Sequence, residues 1–180
     1  WGAIVTTEIG YSQANHCAGI HITMPITLNP SKHLMKNLTA YEKEAIAGWE
    51  FYDEKDSGYN KIQRTRPQTM GYGLVDSPVA QATWIIDKFW QWTDCQGHLE
   101  NAISRKQLFD NISIYWFTKS GASSARMYWE SVSRALGSDT VVKVPTGISI
   151  FPKEIFRSSR RWCEERFPDL VHYNTFDSGG

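Results

Sequence analysis

The sequence predicts an α/β fold in two parts: a sheet domain from residues 1–29 and 139–180, interrupted by a helical cap over 30–138. Three observations carry this. Residues 14–25 alternate Ile20, Ile22 and Met24 against His21 and Thr23, the pattern of a strand, and Pro25 stops it. Residues 141–154 concentrate β-branched and aromatic side chains (Val142, Val144, Ile148, Ile150, Phe151) and read as one buried strand ending at Glu154. Between these stretches the period changes to that of helices, with repeated helix-start signals.

In chain order, residues 2–12 place Ile4, Val5 and Ile9 on one face of a short helix that leads into the first strand. Thr39 followed by Glu42 forms a capping box for a helix to about Glu54, with Ile46, Trp49 and Tyr52 along one face. Residues 59–76 are polar and glycine-rich and read as a loop. Ser77-Pro78 supplies an N-cap and a first-turn proline for a helix through Trp92. Ser104 to Gln107 starts a third long helix, and residues 123–136 a fourth. After the strand at 141–154, a helix over 158–167 and a strand over 170–176 close the chain.

Composition narrows the function classes. The chain has 180 residues, 41% apolar and 21% charged, enough for one ordinary core. Lys and Arg balance Asp and Glu at a formal net charge of +0, and no basic run exceeds Arg160-Arg161, which argues against a nucleic-acid surface. No apolar run reaches the ~18 to 20 residues of a membrane-spanning helix. Cys17, Cys95 and Cys163 are far apart without a C-x-x-C pair, as free thiols of a reducing compartment would be. These features suit a soluble, cytoplasmic protein. No metal site is expected: His16 and His21 lack ligand partners at helical spacing and read as ordinary polar side chains.

Glu154 follows a strand directly, and in open α/β sheets catalytic groups collect beyond the carboxyl ends of the strands. The simpler reading is a solvated residue capping the next helix. Trp49, Trp84, Trp90, Trp92, Trp116 and Trp129 can line an apolar pocket or form the core of the cap. Asp76, before Ser77-Pro78, reads as a turn residue.

A set of recurring words runs along the chain, Trp1-Gly2, Thr65-Arg66-Pro67-Gln68-Thr69, Gly71-Tyr72-Gly73-Leu74, Asp76-Ser77-Pro78, Trp84, Lys88-Phe89, Tyr115-Trp116, Phe151-Pro152-Lys153-Glu154 and Gly179-Gly180, of which the string from Arg66 to Pro78 is the most specific and Trp-Gly or Gly-Gly alone means little. In this order the chain resembles the epoxide hydrolases of the α/β-hydrolase fold, in the bacterial and fungal branch related to the microsomal enzyme. The resemblance implies a mostly parallel sheet with an inserted helical lid. It places a nucleophilic aspartate just ahead of Trp1 and a general-base histidine just beyond Gly180, so that the chain would be an internal fragment, inactive alone.

By the same resemblance Trp1 contributes its backbone N–H to the oxyanion hole, Glu154 orients the histidine where many relatives carry aspartate, and Tyr59 and Tyr128 donate hydrogen bonds to the epoxide oxygen. Trp84 and Trp116 are the expected substrate-binding aromatics, whereas Tyr52, Tyr72 and Tyr115 are expected to pack. The implied partners are a small apolar epoxide and water, with no cofactor, in a setting of detoxification or aromatic hydrocarbon catabolism; a homo-oligomer stays open. Two other classes stand beside this one: a haloalkane dehalogenase-type enzyme with the same kind of nucleophile, and a non-catalytic member that binds an apolar ligand. Paired phenols favour the first, as does the lack of a carboxylate in residues 24–30, where many dehalogenases place their acid.

Overall fold

The computed structural model describes residues 1–27, 30–136 and 140–180, with the side chains of 133–136 outside that description. The boundaries expected after 29 and after 138 fall at residues outside the described set, as do Leu28 and Asn29 of the stretch 24–30. In chain order the elements are α1 (Gly2–Ser12), β1 (Ile20–Ile22), α2 (Ala40–Phe51), α3 (Gly58–Thr65), α4 (Pro67–Asp76) and α5 (Pro78–Trp92). They continue with α6 (Arg105–Phe117), α7 (Gly121–Leu136), β2 (Thr146–Ile150), α8 (Arg160–Arg166) and β3 (Leu170–Thr175). Contacts divide the chain into two compact units, residues 1–54 with 135–180, and residues 55–134.

The first unit carries a three-stranded parallel sheet in the order β1-β2-β3. Parallel neighbours need a crossover, and α8 provides it between β2 and β3. The strand expected over 141–154 is shorter: only Thr146–Ile150 joins the ladder. Pro145 has no N–H to give to a ladder, although its carbonyl accepts from the Ile20 N–H at 2.9 Å. Val142 and Val144 are nonetheless buried in the same core as Ile22, Ile148, Ile150, Cys163 and Phe167. Their apolar content is core content, in an irregular segment outside the sheet.

Helix α1 meets this core by a face other than the one expected. Val5 and Ile9 are exposed, while Thr7 and Gly10 are buried and Ala3 packs on the core. Small residues decide the contact. A Cβ on Gly10 would stand 3.0 Å from Val142 Cγ1 and 3.1 Å from Ile20 Cδ1, so the helix sits as close to the sheet as a glycine permits.

Helix α2 begins as its sequence predicts. Thr39 accepts from the Glu42 N–H and Glu42 accepts from the Thr39 N–H, a complete capping box. The same carboxylate is fully buried and receives two further donors from the chain near α8, Ser159 Oγ at 2.7 Å and the Arg161 guanidinium at 2.6 and 2.5 Å. One residue thus starts α2 and ties it to α8. The helix ends at Phe51 rather than near Glu54, and a π-helical turn, Tyr52–Asp56, follows it.

The second unit is helical throughout 59–76, where a loop was expected: α3 and α4 occupy it. Gly71 serves close packing instead of turning the chain, whereas a Cβ on Gly73 would meet nothing within 4 Å. A Cβ on Gly71 would lie 3.0 Å from Ala122 Cβ, and one on Gly121 would lie 2.9 Å from Leu74 Cβ, so α4 and α7 cross with their backbones close together. Pro67 stands in the first turn of α4, where its missing N–H costs nothing. Leu74, Cys95, Leu108, Ile112, Ala125 and Val132 are the buried apolar residues among those described in this unit.

The Arg161 guanidinium, acting against the cost of burial, holds the Glu42 carboxyl down at about 2, from an ordinary 4.5. A carboxyl lowered in the folded state contributes stability that is complete above pH 4.5 and is lost as pH falls toward 2. Acid unfolding should therefore contain a component in that window, and Glu42→Gln should remove it. In thermal unfolding at pH 7, Glu42→Ala should lower Tm by roughly 5 to 10 °C, because a buried cap and a buried ion pair are lost together. A Tm within 2 °C of the parent would show that the clamp is idle.

Candidate active site

Tyr59 lies in the first turn of α3 and Tyr128 in the middle of α7, sixty-nine positions apart in sequence by subtraction of their numbers. The second unit brings them together. Their rings meet edge to face, with centroids 5.8 Å apart and planes at 79°. Such geometry places the positive edge of one ring on the electron-rich face of the other. Both side chains are half-buried, which leaves them able to meet both packing partners and a ligand.

A third ring completes the aromatic wall. Trp92 stands edge-on to Tyr59 with centroids 5.4 Å apart, and its indole Nε1 donates to Asp56 Oδ2 at 2.7 Å. The other Asp56 oxygen accepts from Lys88 Nζ at 2.5 Å, and Lys88 also contacts Asp87 at 2.8 Å. Asp56 and Lys88 side chains are only 13% and 17% exposed. Burial alone would lower the Lys88 ammonium, but hydrogen bonds and charge from Asp56 and Asp87 outweigh it and raise it above its ordinary value, so it stays charged at neutral pH.

Trp84, Lys88 and Trp92 follow one another at four-residue spacing and share a face of α5. Trp84 lines the same groove as Tyr59, with Asp56, Thr83, Lys88 and Gln91, and its Nε1 donates to Gln63 on α3 at 2.8 Å. Trp116 is half-buried on α6 and is not among the residues lining this groove.

Glu154 and Trp1 belong to the sheet-bearing unit. Glu154 is half-buried in a tight turn just beyond β2, where its N–H donates to the Phe151 carbonyl at 3.3 Å. Burial raises its carboxyl above the ordinary value, while a hydrogen bond from the Thr23 side chain, just past the end of β1, pulls it back in part. The chain after β3 returns to this turn. Phe176 stacks on Phe151 at 4.8 Å, the Lys153 N–H reaches the Gly179 carbonyl at 3.4 Å, and a Cβ on Gly179 would stand 2.9 Å from the Phe151 ring. Gly179 has φ +105°, a conformation L side chains rarely adopt, so closeness and backbone both call for glycine there. Trp1 caps the start of α1, its carbonyl accepting from the Val5 N–H at 2.9 Å.

Sequence reasoning did not find Thr23, Asp56 or Lys88. Thr23 looks like the polar half of a strand alternation, and Asp56 is one carboxylate in an acidic run. Lys88 stands beside Phe89 in one of the recurring words, but nothing in the word says which group it touches.

No protein-family model matches the chain. Over all 180 residues it is 43% identical to a Stigmatella aurantiaca protein provisionally named an epoxide hydrolase, of which it covers 40%. It is 33% identical to epoxide hydrolase 1 of Oryctolagus cuniculus, again across its whole length and 45% of that protein. Among solved structures, the Aspergillus niger epoxide hydrolase superposes at a TM-score of 0.80 with 28% identity, over 99% of this chain and 44% of that one. The juvenile hormone epoxide hydrolase of the silkworm Bombyx mori gives 0.82 with 27% identity, over 100% of this chain and 48% of that one. The chain thus spans less than half the length of these relatives. In sequence and in fold alike, it is homologous over its whole length to the epoxide hydrolases of the α/β-hydrolase fold.

Proposed function

We propose that this chain forms part of an enzyme that adds water to a small apolar epoxide to give a vicinal diol, with Tyr59 and Tyr128 as the hydrogen-bond donors to the epoxide oxygen. The observation that carries the proposal is the edge-to-face contact of those two phenols, in a chain whose relatives are named epoxide hydrolases. In this reading the unit spanning residues 55–134 is the body of the cap, and Trp84, in the groove beside Tyr59, offers apolar surface to the substrate; the role expected of Trp116 has no support from that groove.

The chemistry explains two phenols. A carboxylate oxygen attacks one epoxide carbon, the ring C–O bond breaks, and its electron pair moves onto the ring oxygen. The alkoxide so formed is a strong base. A phenol, with an ordinary pKa of ~10, is neutral at pH 7 yet acidic enough to give that oxygen its proton. Two phenols pointing at one oxygen polarise the ring before attack and share the developing charge afterwards. The phenoxide left behind is reprotonated, through solvent, by the proton that the second half of the cycle releases.

Release of the diol is the second half. Water loses a proton to an imidazole and attacks the ester carbonyl; the acyl C–O bond breaks, the departing diol oxygen takes the proton back from the imidazolium, and the carboxylic acid so formed gives up its remaining proton through solvent, which restores the carboxylate. The Trp1 backbone is the donor we assign to the oxyanion of that step, and Glu154 the acid that orients the imidazole and stabilises its charged form. Support for Glu154 comes from its turn beyond β2 and from the return of the chain to that turn at Gly179, whose carbonyl accepts from the Lys153 N–H. We place the attacking carboxylate and the imidazole in the flanking sequence of a full-length enzyme, and the enzyme in the cytoplasm. Among the described residues no helix is long and apolar enough to cross a membrane.

In full-length protein, the Tyr59→Phe, Tyr128→Phe double variant should lose diol formation by about 10³-fold or more, as expected when both donors to a developing charge are removed. Binding of an unreactive apolar analogue should survive. Diol formation near the parent rate would refute the assignment of the two phenols. Rapid-quench measurement of Glu154→Gln should show ester decay slowed far more than ester formation, since the imidazole works in the second step; unchanged decay would remove Glu154 from the mechanism. Thr23→Val deletes the hydrogen bond that lowers the Glu154 carboxyl, so the acid limb of the ester-hydrolysis profile should move to higher pH. An unmoved limb would show that Glu154 does not set it.

A further inference from the structure

We infer that Lys88, locked to Asp56, is a positioning residue for Tyr59, fixing its ring so that its hydroxyl and that of Tyr128 converge on the substrate oxygen. The inference rests on the catalytic reading of the two tyrosines given above.

Three contacts place Lys88. Its ammonium stands 5.2 Å from the centroid of the Tyr59 ring and 5.4 Å from that of Trp92, within the range of cation–π attraction to both. The Asp56 carboxylate takes Lys88 on one oxygen and the Trp92 indole on the other, fixing both ends of the wall against which Tyr59 packs. Asp56 is also joined to Tyr59 through the chain. It closes the π-helical turn, and Tyr59 follows three positions later in the first turn of α3. Asp56 thus stands three positions before Tyr59 in the chain, and its carboxylate holds two of the side chains beside the Tyr59 ring.

Charge decides between two roles for this cluster. A lone ammonium beside a phenol would make the phenol more acidic. Here Asp56 and Asp87 both bind the ammonium, so two negative charges stand against it, with Lys55 the other cation lining the groove. The cluster supplies no clear excess of positive potential at Tyr59. It does supply rigidity. Both Asp56 oxygens, the Lys88 ammonium and the Trp92 indole N–H are directed by partners at 2.5 to 2.8 Å, and the Asp56 and Lys88 side chains are largely withdrawn from water. Rigidity matters because the phenol gains its effect by orientation, and misplacement by about 1 Å of a catalytic group costs up to ~10²-fold in rate.

The test is a double-mutant cycle in the full-length protein, with single-turnover ester formation from a styrene-type epoxide as the readout. Lys88→Met keeps the length of the side chain and removes its charge. It should slow ester formation by about 10- to 30-fold, while an unreactive apolar analogue binds within about threefold of the parent. In the Tyr59→Phe background, where no hydroxyl remains to be placed, the same change should cost less than about twofold. Lys88→Arg, which can still pair with Asp56, should recover most of the rate. Asp56→Asn, which keeps an acceptor for Trp92 and loses the ion pair, serves in the same cycle should Lys88→Met fail to fold. Equal losses with and without the Tyr59 hydroxyl, or no loss at all, would overturn the inference. Full activity in Tyr59→Phe alone would instead overturn the catalytic reading of Tyr59.

Discussion

Strand β2 is buried at each of its five positions and has a parallel neighbour on either side. Every other feature of the sheet-bearing unit depends on that constraint. A strand paired along both edges cannot slip without breaking two ladders, so the point at which the chain leaves the sheet is fixed, and with it the turn that carries Glu154. The return of the chain after β3 uses the same anchor, through the Phe151–Phe176 stack and the backbone contact at Gly179. Around this strand the helices are attached by economical means: α1 by the small surface of Gly10, and α2 and α8 by the one buried carboxylate of Glu42.

The helical unit meets a different requirement. In the proposed reading two phenols from separate helices must reach one another, and the helices that bear them must be held without a sheet. Close backbone contact at Gly71 and Gly121 sets α4 against α7, and α7 carries Tyr128. A polar bridge does the corresponding work for Tyr59, through Asp56 to Lys88 and Trp92 on α5. Packing is cheap where small residues allow it, whereas an ion pair largely removed from water contributes little net stability and is better explained by the geometry it imposes.

What could be read from the sequence was whatever is decided locally. Helix starts at Thr39, Ser77 and Ser104 are capping events within four residues, and each is found in the structure. The strand at Leu170 was equally legible, and that at Ile20 in part: of the stretch 14–25 only Ile20–Ile22 joins the sheet, Ala14–His16 forms a 3-10 turn, and Met24 lies beyond the strand. Residues 59–76 were misread because Gly71, Gly73 and Pro67 signal a loop when taken alone; only the approach of Ala122, fifty-one positions beyond Gly71 by subtraction, gives Gly71 its purpose. The face of α1 was misread for the same reason, since apolar Val5 and Ile9 outrank Gly10 on any scale of hydrophobicity yet do not fit so near the sheet. Tyr59, Tyr128 and Glu154 were named through family resemblance and not through pattern, and Asp56 and Lys88 were missed because their significance exists only in the contact between the π-helical turn and α5.

The central claim is that two cap phenols serve one substrate oxygen, and a crystal structure of the full-length protein with an unreactive amide or epoxide analogue would test it most directly. The account predicts that the hydroxyls of Tyr59 and Tyr128 both lie about 2.6 to 3.0 Å from the same ligand oxygen. A bound analogue whose oxygen meets neither phenol, or only one while the other packs elsewhere, would contradict it.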